Sequence, residues 1–390
     1  MRYRITPLDP LISRDARPFG AGKRVRSLEW LSQTVIAGAV RTVLWKRCDN
    51  PDDDATLAAL RGVEVRGAFP VAERDNASQL CFPRPLDIIA SREGEKLIPW
   101  QISPSDVPEG CRVDMPLRGL RPAEPNTQDD FKPEKLNPFW TDKLMLHWLK
   151  HGKEDFALDE NATLAAPAQD ERTHVYIDDR TGTAKDGMLF STTGLDFTRK
   201  DSVLKQGQIS IDINIPEESN LPELPKRFTV PLGGERRLAE FESMNGDDAL
   251  WDYPEELPKT FPKGAKLRLV LATPAIFSKG WRPGWIDEGT LKGKLPGAEI
   301  EFKLVSAVTG RWQPISGWSY EKGKTGPKPL RRAVPAGSVY FLELLSDAFT
   351  PASWWLRSVC DEEQDRKDAF GLALWGCGSW KEKPEQEESR

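Results

Sequence analysis

The sequence predicts an α+β protein with two ferredoxin-like (RRM-like) domains, the first of which contains a large irregular insertion. The chain has 390 residues, which exceeds the usual length of one domain. A strand pattern and a long helix pattern open the chain, and a second set of strand patterns lies near its C-terminal end. Residues 50–165 hold many prolines and few periodic stretches. We expect domains at residues 1–255 and 256–380, an insertion at about residues 50–165, and a disordered tail at residues 381–390.

The first strand and the first helix have clear periodic patterns. Residues 2–8 alternate, with Tyr3 and Ile5 on one side, which predicts a half-buried strand. Apolar residues recur at spacings of three and four through residues 28–46, which predicts an amphipathic helix. Ser27 is the expected N-cap of this helix.

The later elements follow from shorter patterns. A helical pattern covers residues 141–150, and residues after the proline at 351 predict a helix at 352–360. Residues 251–263, rich in proline and charge, are the expected domain junction. Strands are predicted at residues 173–177, 208–215, 266–271, 338–344 and 370–375.

Composition limits the function classes. With 38% hydrophobic and 29% charged residues and a mean hydropathy of −0.53, the sequence is that of an ordinary soluble protein. It has no apolar run of membrane-spanning length and no signal-peptide core, so we expect a cytoplasmic protein. The net charge is −5, which argues against a protein that coats nucleic acid with its whole surface. Any RNA contact is therefore expected to be local.

The sequence predicts no metal site, cofactor or catalytic group. The chain has three histidines, and His147 and His151 lie four apart on a predicted helix, but no HExxH pattern accompanies them. No Ser/His/Asp or Cys/His arrangement can be assigned from sequence order. The five cysteines form no CxxC pair and are expected to be free thiols: Cys48, Cys81, Cys111, Cys360 and Cys377.

The most informative segment is RDARPFGAGKRVR, residues 14–26, which we call the basic loop. It holds five basic residues and one acid, and it lies between the first strand and the first helix. Positive charge, the open backbone of Gly20 and Gly22, and a helix N-terminus together favour phosphate binding. Phe19 could stack on a base, a contact of roughly 1 to 3 kcal/mol. A solvated loop or a protein contact explains the same composition.

A nucleotide-binding P-loop does not fit the basic loop, because Arg17 and Arg24 occupy the positions that require glycine and serine or threonine. A second candidate segment is FGLALWGCGSW, residues 370–380, which we call the glycine-rich stretch. Its glycines would let an RNA strand approach the backbone, or would allow a tight turn that packing requires. The basic run KPLRR, residues 328–332, is by itself an ordinary solvated charge run.

Segments along most of the chain resemble one protein family. They are PLDPLISRDARPFGAG, IAGAVRT, FPRPLDII, HVYIDDRTGTAKDGMLF, LGGERR, LATPAIFSKGWRP, RRAVPAGSVYF and the glycine-rich stretch. Together they resemble the RAMP-type third subunit of type III-B CRISPR effector (Cmr) complexes. No segment within residues 100–165 contributes to this resemblance, and Cys377, Gly378 and Ser379 depart from a more basic ending of the glycine-rich stretch.

The resemblance implies a structural subunit that is not an enzyme and binds the 5′ tag of the crRNA. It also implies two protein partners, the large palm-domain polymerase-like subunit and a backbone RAMP subunit, with target RNA met only indirectly. The expected RNA-facing residues are Arg14, Arg17, Phe19, Gly20, Gly22, Lys23, Arg24, Arg26, Lys279, Trp281, Gly371, Gly376 and Gly378.

Two other functions remain open at this stage. Relatives with this fold include metal-independent RAMP endoribonucleases that process precursor crRNA, and such an enzyme needs a general acid and base, usually histidine or lysine. Neither the basic loop nor the glycine-rich stretch contains a histidine. A protein-interaction module that binds no RNA is the third possibility, and charge reversal in the basic loop would then leave RNA retention unchanged.

Overall fold

The computed structural model describes most of the chain. The described residues are 1–14, 24–25, 27–74, 77–108, 110–127, 130–198, 205–244, 251–319 and 325–380. They form a mixed α/β structure of mostly antiparallel sheets with few helices. No helix in this part of the chain has the length and apolar character needed to cross a membrane.

The described α-helices are α1 Gln33–Trp45, α2 Asp54–Gly62, α3 Asp142–His151 and α4 Glu363–Lys367. Short 3₁₀ turns occur at Glu160–Ala162, Glu217–Ser219, Gly234–Arg236 and Pro351–Trp354. The strands up to residue 244 are β1 Arg2–Pro7, β2 Arg24–Val25, β3 Glu64–Arg74, β4 Ala77–Pro83, β5 Ile88–Glu93, β6 Lys96–Pro104, β7 Ala123–Pro125, β8 Phe139–Thr141, β9 Thr163–Leu164, β10 Ala168–Ile177, β11 Ala184–Asp196, β12 Lys205–Asn214, β13 Arg227–Pro231 and β14 Leu238–Ser243. The later strands are β15 Phe261–Pro262, β16 Lys266–Leu271, β17 Lys292–Lys294, β18 Glu301–Val308, β19 Gln313–Ile315, β20 Trp318–Ser319, β21 Gly326–Pro327, β22 Arg331–Ala333, β23 Val339–Leu344, β24 Ala348–Phe349, β25 Arg357–Ser358 and β26 Leu372–Cys377.

The N-terminal sheet has eight strands in the order β13-β14-β1-β12-β3-β4-β8-β9, all antiparallel. Four neighbouring strands of this sheet are β1, β3, β12 and β14. If they are numbered first to fourth along the chain, their order across the sheet is fourth, first, third, second. Tyr3 and Ile5 of β1 are buried, as their alternation predicts. Helix α1 buries Ile36, Val40 and Leu44 in the same core, so burial of its apolar face fixes it to this sheet.

The C-terminal sheet has six antiparallel strands in the order β17-β18-β23-β16-β26-β25. Its neighbouring strands β16, β18, β23 and β26, numbered first to fourth along the chain, again lie in the order fourth, first, third, second across the sheet. One face buries Leu269 and Trp375 in a core of residues after 260 that Leu120 joins. The opposite face buries Val270 and Leu374 against Trp148 of α3. A helix from the first half of the chain therefore covers a sheet of the second half.

The sequence predicted an irregular segment at residues 50–165, but the structure shows regular elements there. The segment contains α2, α3 and strands β3 to β9, of which β3, β4, β8 and β9 belong to the N-terminal sheet. Prolines within the strands concealed the pattern: Pro70 lies in β3 and Pro99 lies in β6.

Several other predictions are confirmed or corrected by the described elements. Strand β1, strand β16 and helix α3 lie where the sequence predicts them. Helix α1 begins at Gln33, five residues later than expected, and Ser32 rather than Ser27 is its N-cap. The predicted helix at 352–360 is wrong, because Pro351–Trp354 forms only a 3₁₀ turn and the chain then pairs with β26 as strand β25.

Candidate nucleic-acid interface

The basic loop is described only at its two ends. Arg14 is exposed, and the backbone of Arg24 lies in β2. The other predicted RNA-facing residues of the loop lie outside the described residues: Arg17, Phe19, Gly20, Gly22, Lys23 and Arg26. The structure therefore shows the geometry of the two ends of the basic loop.

The two ends of the basic loop are joined by Ser13 and Ser27. The Ser13 amide donates to the Ser27 hydroxyl at 2.8 Å, and that hydroxyl lies 3.2 Å from the Ser13 carbonyl oxygen, to which it donates. The Leu28 amide donates to the same carbonyl at 2.7 Å. The buried Ser13 hydroxyl also accepts from the Ser32 amide at 2.9 Å, at the start of α1. These bonds close the loop at its base and fix the base to α1.

The segment before the loop is held by the backbone of two other regions. Leu11 and Leu195 exchange two backbone hydrogen bonds, of 2.9 and 2.7 Å. The Gly234 amide donates to the Ile12 carbonyl at 2.7 Å. At Gly233, φ is +82°, and a Cβ there would collide with the Ile12 carbonyl oxygen. The LGGERR segment therefore needs its first glycine because the chain leading into the basic loop passes directly over it.

The loop's second end joins a long hairpin. Strands β10 and β11 pair antiparallel, and β2 pairs parallel to β11, with Arg24 opposite Ser191 and Val25 opposite Thr192. We call residues 168–196 the hairpin arm. Most of residues 171–189 are exposed on both faces of this hairpin, so its outer half extends away from the cores.

The hairpin arm carries apolar side chains in solvent. Val175, Tyr176, Ile177 and Leu189 are 44%, 44%, 48% and 60% exposed. Closer to the loop, the His174 ring stacks on Phe190 with centroids 5.2 Å apart, and its Nε2 lies 2.8 Å from the Thr192 hydroxyl. Sequence reasoning predicted a strand here but assigned these residues no function. The signal was available, because three consecutive apolar residues precede a charged turn.

The glycine-rich stretch faces protein. Gly371 is buried with φ at +66°, and a Cβ there would lie 2.6 Å from the Cys360 sulfur. Gly376 is buried in β26, and a Cβ there would lie 2.6 Å from the Leu149 carbonyl oxygen of α3. The amide of the half-buried Gly378 donates to the Lys266 carbonyl oxygen at 2.8 Å. Packing, the alternative explanation, accounts for these glycines, and the expected open backbone at Gly371 and Gly376 is absent.

The two remaining predicted residues lie on a turn after β16. Lys279 is exposed, whereas Trp281 is half-buried and packs against the C-terminal core. This turn and the glycine-rich stretch belong with the C-terminal sheet, while the basic loop joins the sheet of the hairpin arm. The structure therefore does not bring the predicted RNA-facing residues together beside one sheet.

The chain from residue 3 to residue 378 matches the family described as CRISPR-associated protein (Cas_Cmr3). The chain belongs to the Cas_Cmr3 family. The resemblance to the third subunit of type III-B CRISPR effector complexes is thereby confirmed. None of the curated proteins compared with the chain matches it.

Solved structures give a distant likeness in fold. A chain from the cryo-EM structure of the Type III-B Cmr-beta bound to cognate target RNA and AMPPnP is 17% identical, with a TM-score of 0.47 over 87% of this chain and 86% of that chain. A chain from Cmr-beta bound to cognate target RNA is 16% identical, with the same TM-score and coverage, 0.47, 87% and 86%. A chain from the Csm3-Csm4 subcomplex of the type III-A CRISPR-Cas interference complex is 10% identical, with a TM-score of 0.34 over 89% and 94%.

The α3 histidines and two buried cysteine thiols of this Cas_Cmr3 family member contact other protein groups. His147 and His151 have ring centroids 5.1 Å apart, and His147 Nε2 lies 3.2 Å from the Glu154 carbonyl oxygen. Among the described residues, no three potential metal ligands form a group. Burial raises the pKa of the Cys81 and Cys360 thiols to about 12, so both are protonated near neutral pH.

Proposed function

We propose that the chain is a non-catalytic RNA-binding subunit of a type III-B CRISPR effector complex that binds the 5′ tag of the crRNA. The observation that carries this proposal is the closed base of the basic loop, where Ser13 and Ser27 join the loop's ends beside the hairpin arm. Joining the two ends of the loop lowers the conformational entropy that the segment between them loses when it binds a phosphate chain.

The loop and the arm supply two complementary kinds of RNA contact. Five basic residues of the loop attract phosphates, and the attraction depends on salt. The exposed Tyr176 and its apolar neighbours on the arm offer surfaces to unstacked bases. Single-stranded RNA presents both features at once, whereas the bases of an A-form duplex are stacked and paired. We therefore favour the single-stranded tag over duplex RNA.

The proposed partners are the large polymerase-like subunit and the backbone RAMP subunit of the same complex, which this chain would join. The net charge of −5 supports this division of the surface, since RNA contact is confined to local basic segments. Target RNA would be met only through the assembled complex. Chains from complexes bound to cognate target RNA are among the distant structural relatives.

We also propose that each large sheet belongs to a ferredoxin-like domain, with the boundary near residues 251–263. The strand order fourth, first, third, second, which both sheets contain, supports this assignment. Strand β14 ends at Ser243 and strand β16 begins at Lys266, so the boundary falls between the sheets. In the first unit α1 fills the first crossover, while in the second the corresponding crossover from β16 to β18 has no helix among its described residues.

A RAMP endoribonuclease is the alternative, and His174 is the residue that would serve it. His174 lies close to the second end of the basic loop, because its ring bonds Thr192 and Thr192 pairs with Val25 of β2. Its ring is stacked on Phe190 and half-buried. General acid and base catalysis would need a second group beside it, and among the described residues of the arm no second histidine is present.

Purification of the tagged chain from its host, followed by sequencing of the 5′ ends of retained RNA, tests the proposal. We expect guide RNAs with a common 5′ tag in the wild type, and loss or trimming of that RNA in the triple variant Arg14→Ala, Arg17→Ala, Lys23→Ala. A matched control removes three exposed lysines elsewhere: Lys96→Ala, Lys143→Ala and Lys292→Ala. Equal retention by both triple variants would refute the role of the loop. Metal-independent cleavage of repeat RNA that His174→Ala abolishes would establish the nuclease instead.

A further inference from the structure

A second exposed ribbon lies in the C-terminal half of the chain. Strand β19 pairs with β22, and β20 pairs with β21, so residues 311–319 and 325–333 form a ribbon of two successive strand pairs. We call these two ranges the tryptophan ribbon; residues 320–324 lie outside the described part and are not included in it. All fourteen tryptophans of the chain are described, and only Trp312 and Trp318, at 46% and 55%, are exposed. Exposure of both on one ribbon sets this surface apart.

The ribbon is attached firmly through its inner face. Ile315 and Ala333 are buried in the C-terminal core. The Ser316 hydroxyl donates to the Lys328 carbonyl at 2.7 Å, and the Lys328 amide donates to the Gly317 carbonyl at 2.8 Å. These contacts hold the backbone between the two exposed tryptophans in one conformation. The tryptophans are therefore presented on a fixed support, which lowers the entropy lost when a ligand binds.

The outer face combines aromatic rings with positive charge. The Arg332 guanidinium lies over the Trp312 ring, 4.9 Å from its centroid. Arg311 and Lys328 are exposed on the same ribbon. The described residues of the ribbon include four basic residues and no acid: Arg311, Lys328, Arg331 and Arg332, of which Arg331 pairs with Asp365 at 2.7 Å. Such a concentration of charge around exposed rings selects a polyanion that also carries flat π faces.

We propose that the tryptophan ribbon is a second RNA-binding surface, on which Trp312 and Trp318 stack against unpaired bases while Arg311, Lys328 and Arg332 contact phosphates. The proposal rests on the RNA-binding function proposed above and adds a site separate from the basic loop. Trp312 and Trp318 are six positions apart, about 20 Å along an extended chain, so they contact different nucleotides of one strand. A protein partner would also use tryptophan and arginine, but the three exposed basic residues Arg311, Lys328 and Arg332, with no acid among the described residues of the ribbon, favour the nucleic acid.

Fluorescence anisotropy of a labelled oligouridylate with the purified full-length chain tests the surface. We expect the double variant Trp312→Ala, Trp318→Ala to bind at least about tenfold more weakly, because stacking on each base contributes on the order of tenfold. The double variant with phenylalanine at both positions keeps a ring and is expected to stay within about threefold of the wild type. Lys292→Ala, an exposed lysine on β17, controls for charge elsewhere, and thermal unfolding checks that each variant is folded.

The outcomes separate this surface from the basic loop. If the alanine pair binds RNA as the wild type does while the Arg14, Arg17, Lys23 triple variant is weakened, the ribbon is not an RNA site and the proposed function stands. If the wild-type chain does not bind the oligouridylate, or the alanine pair and the triple variant both bind it as the wild type does, the ribbon proposal fails, and the proposed function is decided separately by the retention of guide RNA described above. If the alanine pair keeps RNA but loses co-purifying subunits, the ribbon is a protein-docking surface and the inference is overturned.

Discussion

Replacing Ser27 with alanine removes the hydroxyl that joins the two ends of the basic loop. The change deletes the acceptor of the Ser13 amide and the donor to the Ser13 carbonyl, at 2.8 and 3.2 Å. Ser13 is fully buried, so its amide is left without a partner at a cost of about 1–3 kcal/mol. The Leu28 amide still bonds the Ser13 carbonyl, so the carbonyl keeps a donor. We expect the loop base to open about 5- to 150-fold more often.

Hydrogen exchange and RNA binding measure this opening. In Ser27→Ala, amides of the peptide around Ser13 should exchange faster by that factor, while amides in the C-terminal sheet stay unchanged. RNA affinity should fall, because the two ends of the basic loop are no longer joined. Ser27→Thr keeps the hydroxyl and should restore both readouts. Thr42→Ala removes a hydroxyl that bonds Gly38 within α1, and it serves as the control. Unchanged exchange around Ser13 in Ser27→Ala would refute the reasoning.

Three further predictions concern contacts elsewhere in the chain. Gly233→Ala should weaken RNA binding, as measured by filter retention, because its φ of +82° and the nearby Ile12 carbonyl force the loop's approach segment to shift. Asp87→Asn should lower the free energy of unfolding by about 3–5 kcal/mol in a urea titration, because it leaves the fully buried Arg268, 2.8 Å away, without its counter-charge. Native Cys360 should resist alkylation at pH 8 and react only after unfolding, because burial raises its pKa to about 12; labelling of the folded chain at this thiol would contradict the burial.

Local patterns predicted several elements rich in apolar residues. Strand β16 is buried from Leu267 to Leu271, and its short, mostly apolar run marked it in the sequence. Helix α3 likewise showed its pattern. The start of α1 was predicted too early because Leu28 and Leu31 continue its apolar spacing. Ser27 looked like an N-cap, yet its hydroxyl bonds Ser13, fourteen residues earlier, a tertiary contact that the local pattern does not encode.

Two glycines, Gly233 and Gly376, show why the site was only partly predictable. A glycine signals close approach but not the identity of what approaches. At Gly376 the neighbour is Leu149 of α3, and at Gly233 it is Ile12, each more than two hundred positions distant in the sequence. The hairpin arm has the opposite difficulty, since Val175 and Tyr176 look like core residues until the structure shows solvent around them. The sequence did not predict the tryptophan ribbon, because its basic run KPLRR is by itself an ordinary solvated charge run.

The most direct test of RNA binding by the basic loop is ultraviolet crosslinking of the purified complex with its own guide RNA, followed by mass spectrometry of the crosslinked peptides. We predict crosslinks between the 5′ tag nucleotides and peptides that cover residues 14–26, with further crosslinks on the hairpin arm around Tyr176. Tag crosslinks confined to other subunits, with none on residues 14–26 or the arm, would contradict the account.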